Sequence, residues 1–510
     1  MERTSKVNKR PNIILFNPDQ WRGDVLGHMG NPAALTPTLD ALVQTDAVSF
    51  SRTFCQNPVC MPSRCSFMTG VYPHTWGKRT FTQSLHPERG EPNLLKELKD
   101  AGYYVYWSGK NDLIAGQETE AIEMSVSKRF QPTDADYARH GYKKMPRYRD
   151  DWRGEKDSDT SFSFYVGQYD TEGQDIYSDR DWIDVFEAID LIKNWDRPEP
   201  FCLFMALEMP HADYGVEDPW FSMIDREKLP PRTPELPGGA PLALQKMRAV
   251  QNMESWSEER WRELRATYYG MCARVDHQLG LIVDALKQSG QYDDTALICF
   301  SDHGDYTGDY GLVQKNFVGM EDALTRVPLI IKPPAGTPMK PGVRDSLTEL
   351  VDLSETVYAF AQIDPAYRRF GKDLTPLLGD ETLDNREIVF CESGYSKNQP
   401  ECHQNTAEHV RIEAEEWDQP GPYWPSSHTN PLEEPVTHMG KVTMVRTNRY
   451  KLVLRLYEPD SFFDVQDDPK ELQNRIDDPS LQAEIAHLRE AFTEWLWETD
   501  STVPFSRDAR

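Results

Sequence analysis

Side chains capable of metal binding and proton transfer directly follow four short apolar segments of this sequence. Each segment is rich in β-formers, which predicts a buried strand. Because helical patterns separate the segments, we expect a parallel sheet covered on both faces, and ligands bind such sheets beyond the carboxyl ends of the strands. The side chains are Asp19 and Gln20 after residues 12–16, Lys110 after 103–107, His211 after 201–207, and Asp302 and His303 after 296–300. The topology should therefore bring them to one site.

Four of these residues form a candidate metal site: Asp19, Gln20, Asp302 and His303. Two carboxylates, an amide oxygen and an imidazole suit a hard or intermediate divalent cation, so calcium is expected first, with magnesium or manganese as alternatives. Taken alone, Asp302-His303-Gly304 would be interpreted as a capped loop after a strand. Its combination with Asp19-Gln20 at the end of another strand favours the metal site.

A cysteine beside a short predicted helix is the candidate nucleophile. Residues 60–70 read CMPSRCSFMTG, and Pro62 and Gly70 frame a helix. Cys60 would then lie just before the helix N-terminus, where unpaired amides and the helix dipole favour an anion. A lone C-x-P-x-R would more simply be a buried thiol beside a turn, so the motif needs support from the rest of the chain.

That support comes from a resemblance to a known family. Residues 60–70 resemble the type I sulfatase signature, C-x-P-S-R followed by T-G, whose C-x-P-x-R core is read by formylglycine-generating enzymes. The resemblance runs almost continuously from Pro11 to Gly70 and then resumes in patches. The patches are Gly109-Lys110, Pro210-His211, Val275-Asp276, Asp302-His303-Gly304 and Arg326-Val327-Pro328. The chain thus resembles a formylglycine-dependent sulfatase of the alkaline phosphatase superfamily.

The resemblance implies a role for each matched side chain. A formylglycine-generating enzyme would oxidise Cys60, one hydroxyl of the resulting hydrate would attack sulfur, and the other would later expel sulfate. Arg64 would brace the nucleophile, Lys110 and Lys315 match the substrate lysines, and His211 matches the candidate general acid for the leaving group. Any one of these lysines or the histidine could alone be a surface or structural residue. Their places after sheet strands favour the catalytic interpretation.

Two departures from the family pattern leave alternatives open. Asp112 stands where relatives commonly carry a histidine after Gly109-Lys110, and it could act as a base or merely cap a loop. The Asp-Gln and Asp-His metal pairs look more like those of choline sulfatases and phosphonate monoester hydrolases than the commoner Asp-Asp and Asp-Asn pairs. A phosphonate monoester or phosphodiester hydrolase is therefore the rival function. A noncatalytic binder of sulfated ligands is the more remote alternative.

The substrate is expected to be a small-molecule or carbohydrate sulfate ester. A sugar is favoured because the long aromatic and charged segments at residues 115–180 and 213–260 could surround a polar ring. His74, Lys78 and Arg79 follow the signature helix, and they either reach the pocket or belong to the surface of the turn at 72–80.

The chain is long enough for two domains, since 510 residues exceed what one core normally supports. We predict a catalytic domain at residues 1–380, an α/β/α sandwich with a mostly parallel sheet, and a smaller C-terminal α+β domain at 381–510 with an antiparallel sheet. In the first domain, helices are predicted from Thr36-Pro37, at 92–101, around 182–192 and around 264–286. In the second, strands are predicted at 387–390, 441–445 and 450–456, a loop at 396–435, and a helix at 481–496.

Composition and charge exclude several classes of protein. The formal net charge of −27 argues against nucleic acid or an anionic membrane as a partner, so an anionic substrate needs a local cluster of cations. Neither a signal-like segment nor an apolar run of transmembrane length is visible, which predicts a cytoplasmic protein. The 8 cysteines include no CxxC pair, which argues against a disulfide scaffold or zinc ribbon. Homo-oligomer formation is left open.

Overall fold

The structure is a computed structural model that describes residues 10–500, apart from 81–82, 117–119, 148–151, 153, 156–157, 237–238, 395 and 397–439. Its strands are β1 (Asn12–Asp19), β2 (Val48–Phe54), β3 (Tyr104–Gly109), β4 (Lys128–Arg129), β5 (Tyr165–Gln168), β6 (Phe201–Pro210), β7 (Tyr214–Val216), β8 (Thr295–Phe300), β9 (Arg326–Val327), β10 (Leu329–Lys332), β11 (Gly342–Glu349), β12 (Val389–Ser393), β13 (Val442–Arg446), β14 (Tyr450–Arg455) and β15 (Ser461–Asp464). Its helices are α1 (Pro37–Thr45), α2 (Cys60–Thr69), α3 (Pro73–Trp76), α4 (Leu94–Asp100), α5 (Glu120–Ser125), α6 (Asp134–Arg139), α7 (Arg180–Lys193), α8 (Trp220–Met223), α9 (Leu242–Gln251), α10 (Glu258–Gln288), α11 (Asp322–Thr325), α12 (Asp352–Ala361), α13 (Thr375–Gly379) and α14 (Gln482–Thr499).

A nine-stranded sheet in the order β11-β2-β10-β8-β1-β6-β3-β4 forms the centre of the protein, with β9 paired to β2. Strand β1 runs parallel to both of its neighbours, β6 and β8. Strand β10 is antiparallel to β8 and to β2, so the sheet is mixed but mostly parallel, as predicted. The carboxyl ends of β1, β3, β6 and β8 consequently lie at one edge.

Helices cover both faces of this sheet and produce the predicted α/β/α sandwich. On β1, Ile13 and Leu15 join a core that includes residues of α2, α4 and α12. Ile14 and Phe16 point the other way, into a core that includes residues of α1, α7 and α10. Because both faces are covered, every residue of β1 is buried, which explains its nearly continuous apolar sequence.

The C-terminal part forms a separate antiparallel sheet of four strands in the order β12-β13-β14-β15. Strands β13 and β14 form the predicted hairpin, and α14 packs on the sheet through Ile485, Leu488 and Trp495. The antiparallel sheet is confirmed, whereas the domain boundary at residue 380 stays a prediction. The loop predicted at 396–435 lies almost entirely outside the described residues.

Helix positions agree with the sequence pattern, but the side chain of Thr36 does not cap the first helix, α1. Thr36 precedes α1, yet its hydroxyl donates to Asp40 instead of binding the helix amides. The free amides of Thr38 and Leu39 donate to the carboxylate of Asp276 on α10, each at 2.9 Å. A long-range partner therefore caps this helix, since a carboxylate accepts two amides better than one hydroxyl can.

The long aromatic and charged segments at residues 115–180 and 213–260 contain short helices and strands. Residues 115–180 contribute α5, β4, α6 and β5, and residues 213–260 contribute β7, α8 and α9. Strand β5 pairs with β7, which joins the two segments. Within the described ranges, none of the helices has both the length and the hydropathy needed to cross a membrane. The seven cysteines in those ranges are buried and form no disulfide, in agreement with the prediction.

Candidate active site

Two buried carboxylates meet at the carboxyl edge of the sheet and share one arginine. Asp19 ends β1 and Asp302 follows β8, and these strands are parallel neighbours. Arg64 donates from Nη2 to Asp19 Oδ2 at 2.8 Å and from Nε to Asp302 Oδ2 at 2.9 Å. All three side chains are fully buried, so Arg64 braces the two carboxylates from one side.

Cys60 is the first residue of α2. The sequence predicted that it would lie just before the helix, but Val59 occupies that cap position. Its Sγ atom lies 3.1 Å from His303 Nε2, 3.6 Å from Asp19 Oδ1 and 3.8 Å from Lys110 Nζ. Burial, together with the charge of Asp19, raises the pKa of the Cys60 thiol to about 12. The unmodified side chain therefore stays a thiol near neutral pH.

The imidazole of His303 completes a cluster of donors around the same point. Its Nδ1 atom faces the carbonyl oxygen of Gly304 at 2.9 Å, which turns Nε2 toward Cys60. Nε2 lies 3.6 Å from Asp19 Oδ1 and 4.0 Å from Asp302 Oδ1. Burial lowers the pKa of His303, and a neutral imidazole is the form that binds metals.

The residues of this cluster fit a divalent cation. Asp19, Cys60, Asp302 and His303 each offer a ligand atom within 4.8 Å of the others. Arg64 binds the Oδ2 atom of each carboxylate, so both Oδ1 atoms remain on the side of His303. Two carboxylate oxygens and an imidazole nitrogen are a donor set that suits a divalent cation: the carboxylates suit calcium, magnesium or manganese, whereas the imidazole is more typical of transition-metal sites.

Gln20, the fourth predicted metal ligand, is held in one orientation. It has a left-handed φ of 71°, a backbone conformation that is uncommon for non-glycine residues. Its Nε2 atom donates to Asp305 and, at 3.0 Å, to Gln314 Oε1. These bonds turn Oε1 toward Lys315, whose Nζ lies 2.9 Å away. Coordination of a metal by Gln20 stays a prediction.

Lys110 enters the site directly after β3. Gly109 has a φ of +88° and packs so closely on β6 that a Cβ atom would lie 2.0 Å from the carbonyl oxygen of Ala206, so only glycine fits. Lys110 Nζ lies 3.0 Å from Asp19 Oδ2 and 2.9 Å from Asp112 Oδ2. Burial alone would raise the pKa of Asp19, but Lys110 and Arg64 outweigh it and hold that pKa well below its usual value.

His211 and Lys315 form a hydrogen-bonded pair next to Gln20. Nε2 of His211 lies 2.8 Å from Lys315 Nζ, and its Nδ1 faces the carbonyl oxygen of Ala212 at 2.6 Å. Burial and the charges of Lys315 and Lys110 hold the pKa of His211 well below its usual value. This shift favours the neutral imidazole, whose Nε2 can accept a hydrogen bond from Lys315 Nζ. Together with Arg64, the two lysines form the local cation cluster that an anionic substrate requires.

The structure places His74, Lys78 and Arg79 outside this cluster. His74 Nδ1 and Arg79 Nη1 bind the two carboxylate oxygens of Glu392 on β12, at 2.6 and 2.7 Å. Lys78 pairs with Glu91 at 2.9 Å. His74 and Arg79 therefore join the signature region to the C-terminal sheet.

Sequence reasoning missed three side chains that hold the predicted ones. Asp305 and Gln314 bind the amide of Gln20, and Ser63 donates to the backbone oxygen of Asp302 at 2.6 Å. The available signal was proximity in sequence. Asp305 follows the Asp302-His303-Gly304 motif and Gln314 precedes Lys315.

Comparison with known proteins finds similar sequences over most of the chain. A family model described as Sulfatase matches residues 11–363. The choline-sulfatase of Rhizobium meliloti (strain 1021) is 25% identical over 491 residues, 94% of this chain and 85% of the relative. Arylsulfatase K of Danio rerio is 25% identical over 396 residues, 74% of this chain and 70% of the relative.

Solved structures share the fold over nearly the whole chain. The phosphonate monoester hydrolase SpPMH from Silicibacter pomeroyi superposes with a TM-score of 0.69 at 24% identity, covering 96% of each chain. A 2-O GAG sulfatase superposes with a TM-score of 0.65 at 20% identity, covering 97% of this chain and 93% of that one.

Proposed function

The chain belongs to the sulfatase family of the alkaline phosphatase superfamily and is a sulfuric ester hydrolase, and from that premise we propose that it hydrolyses a sulfate ester with a formylglycine hydrate formed from Cys60. The observation that carries the proposal is the position of Cys60, whose Sγ lies 3.1 Å from His303 Nε2 and 3.6 Å from Asp19 Oδ1. A nucleophile at this position faces both the candidate metal ligands Asp19 and His303 and the ammonium group of Lys110. A noncatalytic binder would not need such an arrangement.

An oxidised side chain suits position 60 better than the thiol does. Burial raises the pKa of the thiol to about 12, so a thiolate nucleophile would be scarce at neutral pH. A formylglycine hydrate provides two hydroxyls on one carbon. Because Cys60 is fully buried, the formylglycine-generating enzyme would have to act before the chain folds around it.

In the first step, one hydroxyl group of the hydrate passes its proton through Lys110 to Asp112, and its oxygen attacks sulfur. An O–S bond forms to the enzyme, the ester S–O bond on the opposite side breaks, and the departing alkoxide takes a proton. Arg64, Lys110 and Lys315 supply positive charge around the nonbridging oxygens, where charge accumulates in the transition state. Arg64 and Lys315 are buried and Lys110 is partly buried, which makes this stabilisation stronger than it would be in water.

In the second step, the remaining hydroxyl loses its proton, the aldehyde re-forms and the C–O bond to sulfate breaks. Inorganic sulfate leaves, and water adds to the aldehyde to restore the hydrate. Lys110 lies between the nucleophile and Asp112, 3.8 Å from Cys60 Sγ and 2.9 Å from Asp112 Oδ2. We therefore favour Asp112 as the base, reached through Lys110, over a purely loop-capping role.

The His211–Lys315 pair would supply the proton for the leaving group. Nε2 of neutral His211 accepts from Lys315 Nζ at 2.8 Å, so the proton available to an alkoxide begins on Lys315. The general acid is then the pair, and not His211 alone as the sequence suggested.

Asp19, Gln20, Asp302 and His303 would hold the divalent cation, calcium before magnesium or manganese. When bound, the cation adds positive charge at the nonbridging oxygens and at the nucleophile. Arg64 holds the two carboxylates in place from the opposite side, with contacts of 2.8 and 2.9 Å.

A phosphonate monoester or phosphodiester hydrolase is the second candidate. Gln20 and His303 at the metal-type cluster favour it, because this pairing resembles the one in phosphonate hydrolases. Lys110 favours sulfate, since it places an additional cation beside Asp19 and Cys60. The two activities share one site, so relative turnover decides between them.

The experiment combines mass measurement with a substrate panel. The protein is produced together with a formylglycine-generating enzyme, and the mass of the Cys60 peptide is measured to establish conversion of the CH2SH group to CHO. The panel contains sulfated sugars, choline sulfate, an aryl sulfate and an aryl phosphonate, and a sugar sulfate is the expected best substrate. Full activity of protein with an unmodified thiol would contradict the mechanism, and faster turnover of the phosphonate would favour the second candidate.

A further inference from the structure

The first turn of α7 contacts both loops that carry the substrate side chains. Resting on the function proposed above, we propose that Arg180 and Asp181 are positioning residues, which set the separation of Lys110 from His211. Neither side chain belongs to the catalytic cluster. They act on it through backbone atoms of the residues that precede Lys110 and His211.

Asp181 fixes the end of β6. Its Oδ1 accepts from the amide of Glu208 at 2.9 Å, and its Oδ2 accepts from the amide of Met209 at 2.8 Å. The side chain is 1% exposed, so both bonds are shielded from competition with water. His211 comes two residues after Met209, and its own amide donates to the carbonyl oxygen of Glu208 at 2.9 Å. The side chain of Asp181 thus holds the turn that presents His211.

Arg180 fixes the end of β3. Its Nη2 donates to the carbonyl oxygen of Gly109, the residue directly before Lys110. Arg129 donates to the same oxygen from the other side. The amide of Lys110 is bonded to the carbonyl oxygen of Ala206 at 2.7 Å. The carbonyl oxygen of Gly109 and the amide of Lys110 are therefore both held by hydrogen bonds. The side chain of Lys110 thus starts from a fixed backbone position, from which its Nζ reaches Asp19.

The turn itself is anchored to the core. Asp179 caps α7, and its Oδ1 accepts from Arg274 Nη2 on α10 at 2.6 Å. Arg274 also pairs with Glu217 at 3.3 Å, and these side chains are fully buried. Since Asp179, Arg180 and Asp181 are consecutive, one rigid turn connects α10 to the ends of both β3 and β6.

The proposal predicts different kinetic signatures for adjacent residues. Asp181→Asn keeps the shape but presents an NH2 group to one backbone amide, so the His211 turn should loosen. The value of kcat should fall about 10- to 100-fold for an alkyl or sugar sulfate, which needs a proton on leaving, and much less for an activated aryl sulfate. Arg180→Met should act through Lys110, raising KM and the inhibition constant of inorganic sulfate about 10-fold.

A double-variant cycle separates positioning from general damage to the fold. In a His211→Ala background, Asp181→Asn should cause no further loss of kcat with the sugar sulfate, because the side chain that Asp181 positions is already absent. Arg180→Met in the same background should still weaken sulfate inhibition. Asp190→Asn and Lys193→Met, on the exposed side of α7, are the matched controls and should resemble the wild type.

Circular dichroism and thermal midpoints establish that each variant folds. Equal losses on all substrates, or additive losses in the His211→Ala background, would overturn the inference while leaving the proposed function intact. An inactive wild type bearing formylglycine would instead refute the proposed function. If Asp181→Asn does not fold, the inhibition of Arg180→Met by inorganic sulfate tests the proposal. An unchanged inhibition constant in that variant would then contradict it.

Discussion

Nζ of Lys315 lies 2.8 Å from Nε2 of His211, and Nδ1 of His211 faces a backbone oxygen at 2.6 Å. The imidazole therefore has one tautomer, with Nε2 as the acceptor. In the proposed mechanism, this relationship makes the lysine and the histidine a single proton-donating unit.

Loss of either member of this unit should affect leaving groups selectively. His211→Ala should lower kcat for an alkyl or sugar sulfate by about 10²- to 10⁴-fold and should affect activated aryl sulfates far less. Lys315→Met should show the same selectivity in addition to a loss common to all substrates, because Lys315 also supplies positive charge at the nonbridging oxygens. The double variant should be no worse than the poorer single variant, since both remove one function. Turnover of aryl sulfates of graded leaving-group pKa measures the effect, and His487→Ala, exposed on α14, is the control. A loss independent of leaving group would contradict the assignment.

Replacement of the nucleophile should abolish turnover without unfolding the protein. Cys60→Ala removes the only side chain from which the formylglycine of the signature can form, so product release should drop to background. Cys65→Ala, one turn later on the same helix, removes a buried thiol outside the C-x-P-x-R core and should keep most activity. Sulfate release and thermal midpoints are measured for both. Substantial activity of Cys60→Ala would exclude this nucleophile.

The contact of Asp305 with Gln20 should be visible in metal affinity. Asp305→Asn disturbs the orientation of the Gln20 amide, and changes of this kind typically weaken metal binding about 10- to 100-fold. Titration with calcium after chelation, followed by the shift in thermal midpoint, measures this independently of activity. Asp293→Asn, on an exposed turn, should bind calcium like the wild type. Unchanged affinity in Asp305→Asn would mean that Gln20 does not need this anchor.

Asp276 should make stability depend on pH. Burial raises its pKa to about 6, so between roughly pH 4 and pH 6 the folded chain keeps a proton that the unfolded chain releases. The corresponding contribution, about 3 kcal/mol for a shift of this size, is complete at the acidic end and disappears as the pH rises through 6. Denaturant midpoints at pH 4.5 and 7.5 should therefore differ more in the wild type than in Asp276→Asn.

The matched variant for this measurement is Asp284→Asn, eight residues later on the exposed side of α10. It should reproduce the pH dependence of the wild type. Identical pH dependence in Asp276→Asn and the wild type would show that Asp276 titrates normally.

The sequence by itself determined the four strands that end at the site, their order along the chain and the residue types at their ends. Strand β1 could be predicted because an apolar run rich in β-formers needs no knowledge of its partners. Cys60 and its motif were equally local, and so were the cations Arg64, Lys110 and Lys315. Topology then sufficed to predict that Asp19 and Asp302 meet, since parallel neighbouring strands end at the same edge.

Only the tertiary structure decided which side chains contact each other. Asp276 and not Thr36 caps α1, His74 and Arg79 bind Glu392 instead of substrate, and Lys315 shares its proton with a histidine 104 residues away. Pairs so distant in sequence leave no periodic trace, because a hydrogen bond depends on atoms within about 3 Å of each other and packing alone sets those distances. The role of α7 could not be predicted for the same reason. Its polar first turn has the sequence of an ordinary helix start, and only the structure shows that β3 and β6 end beside it.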